Sequence, residues 1–261
     1  MHKFFSKPVL IGFALLTVAA LFLPQNFVIL APGPTTSLLG DAVQITNSTP
    51  NLKNAADFKD GALFSTAILT SAPNQRPLGY EVLQAWADGD LAVMPRNALY
   101  DAKEKPAAAK ARQHQEMVDS QGAAALAALN FISKIPAYSK QTWRAEDVRI
   151  DLKNVGGGSA GLAFALALIG KTADPNLIAG RKIAATGTIA QNGKVGEIGG
   201  VDQKIIGAQK SGVKIFLMPK ASCPSLSKHP KGLTIYAVST LTEAVHALAG
   251  ANASSFGCPK E

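Results

Sequence analysis

Hydrophobic and polar positions follow three rhythms along this chain. Residues 9–23 (VLIGFALLTVAALFL) carry no charge at all. That run is short for a membrane-crossing helix, which needs about 20 apolar residues. Extended past one polar patch to Leu30, it predicts a tilted span over residues 9–30. A period of two, or a short apolar run bounded by turn residues, predicts strands at 63–70 (LFSTAILT), 147–152 (DVRIDL), 182–186, 188–190, 194–198, 214–218 and 233–238, with a shorter alternation at 42–45. Asn192-Gly193 predicts the hairpin turn between two of these.

The third rhythm is a spacing of three and four. Leu78, Val82, Leu83 and Trp86 predict a core-facing helix over 78–87. Residues 103–117 are rich in good helix formers and predict a mostly exposed helix. Asp119 or Ser120 can cap a further helix over 121–132. Residues 160–169 (AGLAFALALI) open another. Residues 201–211 follow with Val201, Ile205, Ile206 and Ala208 to bury. Thr240 and Glu243 form a capping-box pattern for a last helix ending at Leu248. Strands and helices intermix, so the fold class is α/β (α+β).

Composition narrows the function classes. The 261 residues suffice for one good core or two small ones. The net charge of +8 comes from scattered lysines and arginines without interleaved aromatics. That argues against a nucleic-acid surface and suits a solvated face near anionic lipid. Lys3 and Lys7 flank the apolar run on its N-terminal side. The positive-inside rule then puts the N-terminus in the cytoplasm and the rest outside. A cleaved signal peptide is the rival reading, and the region after Leu23 offers only a poor small-x-small site for it. Two cysteines and four dispersed histidines make no metal pattern, and no cofactor is expected. In an exported chain Cys223 and Cys258 can pair and tie the tail to a loop; from sequence they can equally be free thiols.

The chemistry concentrates in residues 151–219. Gly156, Gly157 and Gly158 precede Ser159, which leads into the apolar helix through Ala160. The glycines allow a tight turn and close approach of a substrate chain. Unpaired backbone N–H groups at the helix start can hold a developing oxyanion. The plain alternative is an N-cap serine. After Gly199-Gly200, Lys204 lies in the first turns of the next helix, beside its apolar side. Buried there, a lysine has a lowered pKa and can take a serine proton. The plain alternative is a surface lysine. A competent pair would bring the two side chains to about 3 Å.

Three ordered motifs carry a resemblance. The 155–162 segment resembles the catalytic-serine motif of Lon-type (S16) proteases. Ala185-Thr186-Gly187-Thr188-Ile189 resembles their Thr-Gly segment, and 193–204 their catalytic-lysine motif, with 208–219 continuing the match. The resemblance implies a Lon proteolytic domain of the ribosomal protein S5 domain 2-like fold. Ser159 would be its nucleophile and Lys204 its general base. Thr186, Gly157, Gly158 and Ala160 would support them. More narrowly, the chain resembles the bacterial membrane-anchored PDZ-Lon proteases of the YlbL-like type, which have a short anchor followed by a Pro-Gly segment, as at Pro32-Gly33. Two departures stand out. Only residues 135–146 occupy the place of a PDZ domain, and Gly158 replaces the usual proline before the nucleophile.

The organisation expected from this is a cytoplasmic segment 1–8 and a transmembrane signal anchor 9–30. An extracytoplasmic region 31–134, of strand plus helices packed with the protease part, comes next. A connector 135–146, a proteolytic domain 147–250 and a tail 251–261 complete it. No Gly-x-x-x-x-Gly-Lys-Ser/Thr motif occurs, so no ATPase is expected. The expected function is that of a membrane-anchored, ATP-independent serine endopeptidase with a Ser–Lys dyad, cleaving exposed or unfolded polypeptide outside the cytoplasm. Its partners would be polypeptide substrates, membrane lipid and, as an open question, further copies of itself. The competing expectation is a Lon-fold scaffold at the cell surface that binds peptides with little or no activity.

Overall fold

A computed structural model describes residues 7–46, 58–101, 104–140, 143–152, 155–227, 230–250 and 253–258. Most of the expected cytoplasmic segment and part of the expected tail therefore lie outside the described residues. In chain order the first elements are α1 (Lys7–Leu21), β1 (Phe27–Ser37), β2 (Val43–Ile45), β3 (Ala62–Thr70), α2 (Gly79–Ala87) and β4 (Ala92–Pro95). Next come α3 (Pro106–Ile132), β5 (Val148–Ile150), α4 (Gly161–Thr172), β6 (Lys182–Ala185), β7 (Thr188–Ile189) and β8 (Val195–Gly196). The last are α5 (Val201–Lys210), β9 (Ile215–Pro219), β10 (Thr234–Val238) and α6 (Leu241–Leu248). The chain divides into two compact units, Met1–Ala31 with Leu69–Ala109, and Pro32–Ile68 with Lys110–Glu261.

In the first unit α1 is apolar on every side and none of its residues is buried. Residues 27–30, counted into the apolar span, are not helical. They open β1 and pair antiparallel with β4, Phe27 opposite Pro95 and Leu30 opposite Ala92. A run of Val, Ile and Leu suits a strand as well as a helix, and Pro24 with Asn26 breaks the helical continuity. Among the described residues no helix is long and apolar enough to cross a membrane. Helix α2 forms where expected but faces the core only in part. Val82 and Ala85 are buried, whereas Leu83 and Trp86 are exposed.

The second unit is layered about a sheet in the order β10-β9-β6-β3-β1. Strands β3, β6, β9 and β10 run parallel. Side chains alternate across such a strand, and both faces are covered. Ile183, Ala185 and Leu217 meet the cluster built on α4 and α6, while Ala184, Phe216 and Met218 meet Val201, Ile205 and Ala208 of α5. All twelve residues of α4 are buried, as an all-round apolar helix requires. Strands β7 and β8 make the Asn192-Gly193 hairpin, Ile189 opposite Val195.

Three expectations need correction. Residues 106–132 form one helix, not two. The buried stripe Met117, Ser120, Ala124, Ala128 and Ile132 runs through the supposed break, so Ser120 is an interior position and not a cap. Strand β5 is shorter than 147–152 and pairs with β2. The box at α6 is half-formed. Thr240 Oγ1 accepts from Glu243 N–H at 3.1 Å, but Glu243 Oε2 accepts from Ser239 N–H at 2.7 Å. The described part of 135–146 holds two short 3₁₀ turns with Tyr138 beside Trp143. Cys223 and Cys258 are joined in a disulfide.

Candidate active site

The glycine loop before α4 is held from both sides. Gly157 has φ of +83°, a left-handed conformation that favours glycine, and its N–H donates to Gln113 O at 2.8 Å. The Ser120 hydroxyl donates to Gly158 O at 2.8 Å. Helix α3 thus fixes the loop by its backbone and by one side chain. Ser120 was not among the sequence candidates for the site. The signal was available as a serine on an otherwise apolar helical stripe.

Ser159 lies in the turn that follows and is half-buried. Its carbonyl accepts from Gly187 N–H at 2.7 Å and from the Thr186 hydroxyl at 3.1 Å. Leu162 N–H donates back to Gly187 O at 3.0 Å. The exit of β6 and the start of α4 are therefore laced together across Ser159. The residue capping α4 is Ala160, without a side-chain bond. The N-cap reading of Ser159 does not describe this geometry. Its hydroxyl makes no hydrogen bond to any described residue, and the N–H groups of Ser159 and Ala160 have no acceptor among them.

Lys204 sits one turn into α5, its N–H bonded to Gly200 O at 3.0 Å. It is 2% exposed, so the surface-lysine reading fails. Burial pushes its pKa down to about 7. Its Nζ donates to Thr186 Oγ1 at 3.2 Å. Thr186 in turn gives its only proton to Ser159 O, so the lysine must be the donor in that contact. A neutral amine that donates to Thr186 keeps its lone pair free for an incoming proton. The structure shows no direct hydrogen bond between Ser159 and Lys204; Thr186 stands between them.

Lys171, also buried, provides a contrast. Its Nζ donates to Gly40 O at 2.8 Å and Val43 O at 2.6 Å. Desolvation lowers its pKa and the Asp41 charge opposes that shift. Two carbonyls suit an ammonium that stays protonated and ties a loop to α4. Among the described residues Lys204 Nζ has one hydroxyl partner and no carbonyl.

The Lon protease (S16) C-terminal proteolytic domain family matches residues 112–249. The chain belongs to that family. The match begins inside α3, upstream of residue 147, and takes in the Ser120 contact. A Lon protease of Roseiflexus castenholzii is 44% identical over 75 residues, 29% of this chain and 9% of that protein. Lon protease 2 of Thermus thermophilus is 39% identical over 77 residues, 30% of this chain and 9% of that protein. A Lon protease of Lachnoclostridium phytofermentans is 29% identical over 126 residues, covering 45% and 15%. The chain thus matches only a small share of these relatives' length.

Proposed function

We propose that this chain is a serine endopeptidase in which Ser159 is the nucleophile and Lys204 the general base. The supporting observation is the buried Lys204, with a pKa near neutrality, joined through Thr186 to the backbone of Ser159. At pH above about 7 the neutral amine accepts the Ser159 proton as Oγ bonds to the scissile carbonyl carbon. The oxyanion faces the unpaired N–H groups at Ser159 and Ala160. The Lys204 ammonium then protonates the leaving amine, the C–N bond breaks, and an acyl-enzyme remains. A water that loses its proton to Lys204 hydrolyses the ester and frees Ser159.

The glycine at 158 does not argue for an inert scaffold. A Cβ there would meet only ordinary contacts, the nearest Glu116 O at 3.5 Å. The loop is fixed by the bonds to Gln113 and Ser120 instead of by a proline. On this reading the substrates are exposed or unfolded polypeptide segments. With full-length protein in detergent, Ser159→Ala is expected to lower the hydrolysis of an unstructured peptide by about 10³-fold or more at an unchanged melting temperature. Wild-type rates in that variant would refute the assignment.

The same reading places the protein on a membrane. Helix α1 exposes Phe13 at 71% and Leu16 at 72%, an apolar surface that bilayer would cover. Phe22 packs on Tyr80 at 6.0 Å and Phe27 on Trp86 at 6.2 Å. Aromatic rings beside the end of an apolar helix suit the interfacial level. Lys3 and Lys7 favour a cytoplasmic N-terminus, and the Cys223–Cys258 disulfide favours an oxidising compartment for the remainder. In a Trp143→Phe background, Trp86 fluorescence is expected to be quenched by brominated phospholipid in vesicles. Unquenched emission, with the protein free of the vesicle fraction, would overturn the membrane placement.

A further inference from the structure

Thr66 Oγ1 is buried and has no hydrogen-bond partner among the described residues, although Thr66 as a whole is only 5% exposed. A hydroxyl enclosed without a partner carries an uncompensated desolvation cost. Such a group calls for an explanation. Its position supplies one. Strands β3 and β6 run parallel with Ala62 opposite Lys182 and Ser65 opposite Ala185, so Thr66 and Thr186 are the next residue of each chain beyond the last register pair. In-register neighbours project to the same face of a sheet. On β3 that face also carries Phe64, which packs in the α5 cluster, and Ile68.

Helix α5 presents Lys204 to the same place. Gly200, Lys204 and Gly207 recur at i, i+4 and i+7 and share one face of the helix. A Cβ built on Gly200 would lie 2.9 Å from Ile68 Cγ2, and one on Gly207 would lie 2.7 Å from Gly33 O. Gly33 itself abuts Ala67, where its own Cβ would be 2.6 Å from the carbonyl oxygen. Both ends of this helix face therefore rest on β3 and its neighbour β1, with Lys204 between them. Adjacent strands run about 4.8 Å apart, so a Nζ bonded to Thr186 stands within a torsional step of Thr66.

We propose that Thr66 is a positioning residue for the peptidase reaction, its hydroxyl oxygen receiving an N–H of Lys204 when that side chain becomes an ammonium. The inference rests on the Ser159–Lys204 assignment. In the resting neutral amine, one N–H goes to Thr186 and the lone pair is free to take the serine proton. Once that proton has moved, Lys204 carries three N–H groups in an enclosed space. A second hydroxyl acceptor then stabilises the charged form. The unpartnered state of Thr66 is the resting half of this cycle.

Among the described residues beneath and on α5, no charged group substitutes for it. The strand segments beneath α5, at 32–37, 62–68, 183–187 and 215–219, contain no titratable side chain. On α5 itself Asp202 is half-exposed and bonded to Ser227, and Lys210 is exposed. Glu197 and Lys220 in the flanking loops are exposed as well.

The test uses full-length protein in detergent with Thr66→Val, which keeps the shape, and Thr66→Ser, which keeps the hydroxyl. Thr66→Val removes an acceptor from the ammonium, so the Lys204 pKa falls. The acid limb of the kcat/KM profile is then expected to move about one unit to lower pH, while the plateau drops about tenfold. Thr66→Ser is expected to restore both. The melting temperature of Thr66→Val is expected to match or exceed that of wild type, because an enclosed orphan hydroxyl is gone. Lys204 is titrated separately, by carbon-13 NMR of its ε-carbon in Ser159→Ala protein with and without Thr66→Val, the signal assigned by its loss in Lys204→Met. That readout needs no activity. A downward shift supports the proposal. An unshifted Lys204 titration together with an unmoved acid limb overturns it. An inactive wild type with a shifted titration would instead remove the peptidase reading and leave the Thr66–Lys204 contact standing.

Discussion

Replacing Lys204 by methionine is expected to abolish peptide hydrolysis and, at neutral pH, to make the protein more stable. On the proposed roles, the substitution removes the acceptor for the Ser159 proton, and the rate should fall about 10³-fold or more. The stability effect has a worked sign. Folded Lys204 titrates near 7 because burial disfavours its charge, whereas an unfolded lysine titrates near 10.4. Between those values the unfolded chain binds a proton that the folded chain does not. Wild-type stability therefore rises with pH across that window. Well below pH 7 both states are protonated and the full cost of an enclosed ammonium is present. Methionine fills similar volume without the charge. Its stabilising effect should be on the order of a few kcal/mol at pH 6–7 and shrink towards pH 10. Urea melts at pH 6, 7.5 and 9 on both proteins, paired with a peptide assay, measure this. A Met variant that is less stable at pH 6, or one that still cleaves, contradicts the role assigned to Lys204. Stability given up at an active position for the sake of chemistry is a common trade-off.

The region 182–219 was legible because its signals are local. Alternation, an Asn-Gly turn and a glycine pair ahead of an amphipathic run each act over a few residues, and they put β6, the β7–β8 hairpin, α5 and β9 where the structure has them. What the sequence hid depends on tertiary context. Asp119 and Ser120 read as a cap because side-chain oxygen near a helix start is common there. Only the packing of α4 and the glycine loop onto the α3 stripe makes one 27-residue helix of that stretch. The two buried lysines illustrate the same limit. Lys171 and Lys204 each adjoin apolar residues, and nothing local says that one will meet two carbonyls and the other a single hydroxyl. Thr66 is further still from a sequence signal. A threonine in a strand is ordinary. Its significance comes from a distant strand, where Ser65 stands opposite Ala185 and Thr66 and Thr186 are the residues that follow.

Gly207→Ala is expected to damage both stability and activity through a single methyl group. The added Cβ would stand 2.7 Å from Gly33 O, closer than a carbon can approach a backbone oxygen. No flexible side chain is available to yield. Gly33 cannot retreat, since its own Cα already faces the Ala67 carbonyl at a distance that leaves no room for a Cβ. Helix α5 must move outward instead. Overpacking of this kind costs about 1–3 kcal/mol. Lys204 lies one turn earlier on the same face, so the displacement carries its Nζ away from Thr186. A misplacement of about 1 Å in a reacting group can cost about 10²-fold in rate. The rate loss should therefore exceed what the fraction unfolded explains, and it should appear in kcat. Gly122→Ala, in the interior of α3 with nothing within 4 Å of the new Cβ, is the control and should gain about 0.5–1 kcal/mol. A Gly207→Ala protein with wild-type melting temperature and kcat would mean that α5 does not hold Lys204 against the sheet as described. The Ser159–Thr186–Lys204 arrangement would then lose its physical basis.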